Sequence, residues 1–188
     1  GVTVADSRRL PLSLAGTTYA TRRFDRDGGS RRPFVSAMTM TGKRDGEEAS
    51  YLELAQAIAG HVDPDAIEAD LEQLFRRLVF NVMIGNRDDH LRNHGFLRGP
   101  GGWRLAPAYD VNPAPETAEH ALSIDDRSHE PSLDVVMETR PFYRLSEKAA
   151  LDIVREVGAS LSGWESAARA ARLGADEIDL MRTVVGQP

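Results

Sequence analysis

The chain has 188 residues, 41% of them hydrophobic and 28% charged, which suits one domain with a substantial core and excludes a disordered or fibrous composition. A net charge of −6 argues against autonomous, non-specific nucleic-acid binding. No apolar run is long enough to span a bilayer, and the absence of cysteine excludes disulfides and thiolate metal sites and suits a reducing cytoplasm.

Arg9 to Leu14 and Thr17 to Phe24 predict two strands of a hairpin turning at Ala15-Gly16. The run Asp25-Arg26-Asp27-Gly28-Gly29-Ser30 reads as a turn or hinge, not a phosphate loop, because no Gly-Lys-Ser/Thr follows. Beyond it the pattern is mainly helical. Glu47 to Gly60 carries one apolar face through Tyr51, Leu52, Leu54, Ala55 and Ile58. Asp63 and Pro64 then open a long helix, with a broad apolar stripe from Ile67 to Met83 and an end near Gly85.

A polar loop, 86–94, follows. Gly95-Phe96-Leu97 and Trp103-Arg104-Leu105 predict a second hairpin across Arg98-Gly99-Pro100-Gly101-Gly102, and a second loop begins at Ala106. The last third predicts helices over 132–138, 146–160, 164–173 and 176–185, with Gly174 separating the last two.

Chemistry concentrates in the two loops. Asp88 and Asn93 stand five positions apart, and Asp110 lies seventeen beyond Asn93 across the predicted hairpin. Each alone is commonly a turn or capping residue. Together they match what phosphoryl transfer needs: one carboxylate to orient a hydroxyl and accept its proton, and hard oxygen ligands to hold Mg²⁺ against ATP phosphates. Three other readings stay open: a zinc hydrolase using His90 and His94, a non-catalytic docking module or pseudokinase, and a kinase of a small-molecule acceptor. The first lacks the Glu that the metalloprotease motif places after its first His, since Leu91 stands there.

Asn86-Arg87-Asp88-Asp89-His90-Leu91-Arg92-Asn93 and Leu105-Ala106-Pro107-Ala108-Tyr109-Asp110 closely resemble the HipA-like serine/threonine kinases, and Arg23-Phe24-Asp25-Arg26 resembles their hinge. The resemblance implies an α+β, mainly α fold: residues 1–26 end the N-lobe, and 27–188 form a helical C-lobe with catalytic loop 86–94 and metal loop 106–111. It implies that Asp88 is the proton acceptor, that Asn93 and Asp110 bind Mg²⁺, and that His90 shapes the catalytic loop. Tyr109 would flank the metal Asp, the backbone of Arg22, Arg23 and Phe24 would meet the adenine of ATP, and Asp25 would lie near the ribose. The family commonly has Glu where Arg22 stands. It also implies a protein substrate, in the family one of the translation machinery, and a HipB-like DNA-binding antitoxin as partner. Of 23 basic residues only Lys43 and Lys148 are lysines, and neither precedes the hinge, as the family's ATP-binding lysine does. The chain, opening on Gly1, is therefore expected to be a piece of a longer protein, with little ATP affinity alone.

Overall fold

The broad apolar stripe of the sequence becomes the axis of the fold. The structure, a computed structural model, describes residues 1–13 and 16–186. In it, helix α3 (Ile67–Ile84) buries Leu71, Leu74, Phe75, Leu78 and Val79 completely. Burial of such side chains contributes about 1.5–3 kcal/mol each. Four elements surround α3: α2 (Tyr51–His61), α4 (Leu133–Thr139), α5 (Glu147–Leu161) and a 3-10 turn at Arg140–Tyr143. Tyr143 of that turn meets Phe75 edge-on at 5.1 Å between ring centroids. Helices α6 (Trp164–Ala170) and α7 (Ala175–Met181) close the chain, with Gly174 as the N-cap of α7.

Helix boundaries follow capping chemistry. Helix α2 begins at Tyr51, four residues later than apolar spacing predicts, because Ser50 and Glu53 form a reciprocal capping box. Glu47 instead turns back to accept from Arg44 N at 2.9 Å. Asp63 and Pro64 open a 3-10 turn, Pro64–Ala66, that leads into α3. Ser132 and Ser146 cap α4 and α5, where the sequence places their starts.

Three small antiparallel sheets accompany the helices. Strands β1 (Ser7–Ser13) and β2 (Gly16–Thr21) pair in the register Arg9↔Tyr19; Leu14, the end of the first predicted strand, and Ala15, half of the predicted turn, lie outside the described residues. The Asp25–Ser30 run proves to be a second hairpin, β3 (Arg26–Asp27) with β4 (Ser30–Arg31), turning through Gly28 and Gly29. Both glycines have positive φ, +52° and +95°, which a two-residue hairpin turn requires and glycine adopts without strain. The hairpin predicted from Gly95 forms as β6 (Gly95–Arg98) and β7 (Trp103–Leu105), and a strand not legible beforehand, β5 (Phe34–Ser36), joins β6 to make three strands. Ser36 then caps a short helix, α1 (Ala37–Thr41), also unpredicted.

The first residues run beside α3. Gln73 holds Gly1 and Thr3 by both ends of its amide, and Thr3 O accepts from Ala108 N at 2.8 Å. Among the described residues no helix is long and apolar enough to cross a membrane.

Candidate active site

Helix α3 ends in a glycine because the chain must reverse there. Gly85 adopts φ +68°, and its N–H closes back on Val82 O at 3.2 Å. The loop that follows, 86–94, has no regular structure, so its backbone groups find partners on both sides. Arg87 O and Asp89 O accept from Ala121 N and Leu122 N at 2.9 and 3.2 Å, while Leu91 O and His94 O accept from Met38 N and Ala37 N of α1 at 3.3 and 2.8 Å. Gly95 O accepts from Ala106 N at 2.8 Å, bringing the second loop alongside.

A polar stripe on α3 fixes the rest. Asp70, Arg77 and Asn81 recur at spacings of seven and four, on one helical face. Asp70 accepts from Arg104 and from Leu105 N at 2.7 Å, fixing β7. Buried Arg77 donates to Ala106 O at the start of the second loop, and burial lowers its guanidinium to a pKa of about 10. Asn81 donates to Tyr51 Oη at 2.9 Å and accepts from Asn86 at 3.1 Å.

Asp88, Asn93 and Asp110 line one cavity of about 110 Å³ together with Asn86, Asn112, Pro113 and Ala114. Asn93 donates its amide N–H to Asp110 Oδ2 at 2.7 Å, and Asn112 donates to Asp110 Oδ1 at 3.1 Å. Asn93 Oδ1 is buried with no hydrogen-bond partner among the described residues. Asp110 itself has φ +55°, a left-handed backbone tolerated by Asp and concentrated at functional sites. An unpartnered amide oxygen beside an exposed carboxylate is the donor set a hard divalent cation requires, so these residues fit Mg²⁺.

The segment around Phe24 lies next to the second loop. The rings of Phe24, Phe34 and Tyr109 form a triangle with centroids 5.7–6.3 Å apart, and Tyr109 Oη donates to Arg92 O at 2.7 Å. Burial pushes the Tyr109 phenol up to about 12, so it stays a donor throughout the neutral range. Arg22 N–H is committed to Asp6 O at 2.8 Å, which leaves its carbonyl for any adenine contact. Asp25 is held by a two-pronged bond from Arg23 at 2.9 and 2.7 Å, and that contact keeps its carboxyl below the usual range.

His90 O accepts from Asn93 N at 2.8 Å within the loop. It does not line the cavity; it lines a neighbouring groove with Arg92 and the 44–49 segment. The histidine that ties the loop to the core is His94, whose Nε2 meets Asp89 Oδ2 at 2.8 Å, both residues 2% exposed. Tyr51 donates to the same Asp89 oxygen. Burial raises the Asp89 carboxyl, but His94 and the Tyr51 hydroxyl outweigh it and leave the group lowered and ionised. With His94 so engaged, and with no cluster of three or more His, Cys, Asp or Glu able to hold a metal among the described residues, a zinc site at His90 and His94 has no support. Asp89, Asn86 and Asn112 carry no functional signal of their own in the sequence, and His94 carries one only as the zinc ligand of a rival reading. Only the start of the loop at Asn86 could have been noticed, because the others take their roles from tertiary neighbours.

The HipA-like C-terminal domain model matches residues 1–164. Two curated relatives, "Putative kinase" of Haemophilus influenzae and "Putative kinase Y4dM" of Sinorhizobium fredii, are each 32% identical, over 118 and 126 residues. The chain spans 34% and 30% of their lengths. Among solved structures, it resembles HipA of Shewanella oneidensis, determined with HipB and operator DNA (TM-score 0.73, 18% identity, 96% of this chain and 49% of that one). It also resembles the Helicobacter pylori proinflammatory kinase CtkA (TM-score 0.54, 13% identity, 84% of this chain and 77% of that one). The fold is kinase-like, and the chain belongs to the HipA-like C-terminal domain family.

Proposed function

We propose that this chain is the C-terminal catalytic lobe of a kinase that transfers the γ-phosphate of ATP to a serine or threonine hydroxyl of a protein. The observation that carries this reading is the buried, unpartnered Oδ1 of Asn93 beside Asp110, in a cavity shared with exposed Asp88. Asp88 has the freedom to meet a hydroxyl arriving from solvent, orient it and take its proton as oxygen attacks the γ-phosphorus and the bond to the β-phosphate breaks. Asn93 Oδ1 and the Asp110 carboxylate would hold Mg²⁺, which when bound neutralises charge on the phosphates. Asn112 steadies the second oxygen of Asp110. The hinge backbone at Arg22, Arg23 and Phe24 would take the adenine, with Asp25 toward the ribose; the Phe24–Tyr109 contact puts that surface beside the metal loop.

In this reading residues 1–26 complete an N-lobe and the parent works in the cytoplasm on a protein of the translation machinery. A HipB-like DNA-binding antitoxin would be its partner; the Shewanella neighbour, solved with HipB and DNA, supports that choice.

The test is Asp88→Asn in the full-length kinase. Turnover should fall by roughly 10²–10⁴-fold, the usual contribution of a positioned general base. Turnover near that of the parent would refute the assignment.

A further inference from the structure

Loop 86–94 must present Asp88 outward while lacking helix or strand geometry to hold it. Its backbone bonds to residues 121–122 and to α1 fix where the loop lies. They hold the 87–88 and 89–90 peptide units through Arg87 O and Asp89 O, but they leave the 88–89 unit between them without a backbone bond, and the solvent-exposed Asp88 carboxylate has no side-chain partner among the described residues to hold it. Something adjacent must.

We propose that Asp89 is a positioning residue, whose buried carboxylate clamps the loop so that Asp88 faces the cavity. The clamp has three arms. Asp89 Oδ2 meets His94 Nε2 at 2.8 Å, tying the middle of the loop to its end. The same oxygen accepts from Tyr51 Oη, tying it to α2. Tyr51 Oη accepts from Asn81 at 2.9 Å, and Asn81 accepts from Asn86 at 3.1 Å, so the start of the loop joins through α3. All five residues are at most 2% exposed. The His94 ring also packs edge-on against Tyr51, 5.7 Å between centroids, which fixes the direction in which Nε2 points.

A buried carboxylate is costly to desolvate, and apolar residues of similar volume would fill the same space at no such cost. What apolar packing cannot do is fix direction. A carboxylate held by two donors in different planes removes the rotational freedom of its own backbone, and the preceding residue in the chain is Asp88. Catalysis is sensitive to this kind of error, since misplacing a reacting group by about 1 Å costs on the order of 10²-fold in rate.

The inference rests on the proposed role of Asp88, and the experiment separates the two. Asp88→Asn, Asp89→Asn and Tyr51→Phe are made in the full-length kinase; kcat and the Kd for Mn²⁺·ATP are measured on each, with circular dichroism to confirm folding. Asp89→Asn should lower kcat by about 10–100-fold while nucleotide Kd changes by no more than about threefold. Tyr51→Phe, which deletes one buried oxygen, should show the same split on a smaller scale. Unchanged kcat in folded Asp89→Asn and Tyr51→Phe would overturn the proposal, and so would a parallel loss of kcat and nucleotide affinity, the mark of general loosening. Should Asp89→Asn not fold, Tyr51→Phe decides by the same split. Retained turnover in Asp88→Asn would instead remove the base itself, a result distinct from failure of the clamp.

Discussion

Asp88 and Asp89 are neighbours whose side chains meet opposite surroundings, the first exposed at the cavity and the second 2% exposed beneath it. Spacing made the meeting of Asp88, Asn93 and Asp110 at one cavity legible, because the proposed phosphoryl-transfer role asks for those atoms in that order along the chain. Asp89 was not legible, since nothing local distinguishes a buried Asp from a solvated one; its partners Tyr51 and Asn81 come from two different helices. His120 is a second such residue. It is 2% exposed, neither ring nitrogen has a hydrogen-bond partner, and burial lowers its pKa to about 4 from an ordinary 6.5. A lowered histidine binds fewer protons folded than unfolded between those values, so its contribution is intact above pH 6.5 and is lost as pH falls toward 4. His120→Leu should therefore lose about 2 kcal/mol less than the parent between pH 7 and pH 5, as measured by urea denaturation at the two pH values. Equal losses in the two proteins would show that His120 does not titrate as its surroundings dictate.

At the level of elements, helices were read well because their signals are local. Serine caps at positions 50, 132 and 146 sit where the structure uses them, and the four-residue error at the start of α2 came from running the helix back through Glu47–Ser50 past its capping box, although the apolar face itself begins at Tyr51. Strand β5 was missed for the opposite reason. Phe34, Val35 and Ser36 are too few to show a period, and their partners Leu97, Phe96 and Gly95 lie some sixty residues away. Gly85 joins the two cases: a predicted helix end that is also a tight contact. A Cβ there would stand 2.6 Å from Val184 Cβ, on a backbone with φ +68°. Gly85→Ala should cost about 2 kcal/mol or more, from left-handed strain and displacement of Val184. Gly60, in α2 with open space around it, is the control: Gly60→Ala should be neutral or gain up to about 1 kcal/mol. Thermal and urea midpoints of both variants check the pair.

Charge is unevenly shared over the whole molecule. Residues 1–36 hold seven arginines against three aspartates, net +4, so the remaining 152 carry −10 of the total −6. The two lysines are both engaged elsewhere: Lys43 with Glu53 at 2.8 Å and Lys148 with Asp152 at 2.7 Å, and neither lines the cavity. In the proposed reading the cavity thus offers carboxylates and amides to a metal, but among the described residues no lysine ammonium lines it to meet ATP phosphates. Isothermal titration of this chain with Mg²⁺·ATP is expected to show weak or undetectable binding; micromolar affinity would mean that cations already present, the arginines near the hinge among them, are enough.

The backbone bond from Ala108 to Thr3 has a mechanical side. It stitches residues 1–4 to a point two residues from Asp110, while Gln73 pins the same stretch to helix α3. A pull on residues 1–4 would therefore pass through one backbone bond to the neighbourhood of Asp110, so that tension there and the proposed hold on a cation would share one lever.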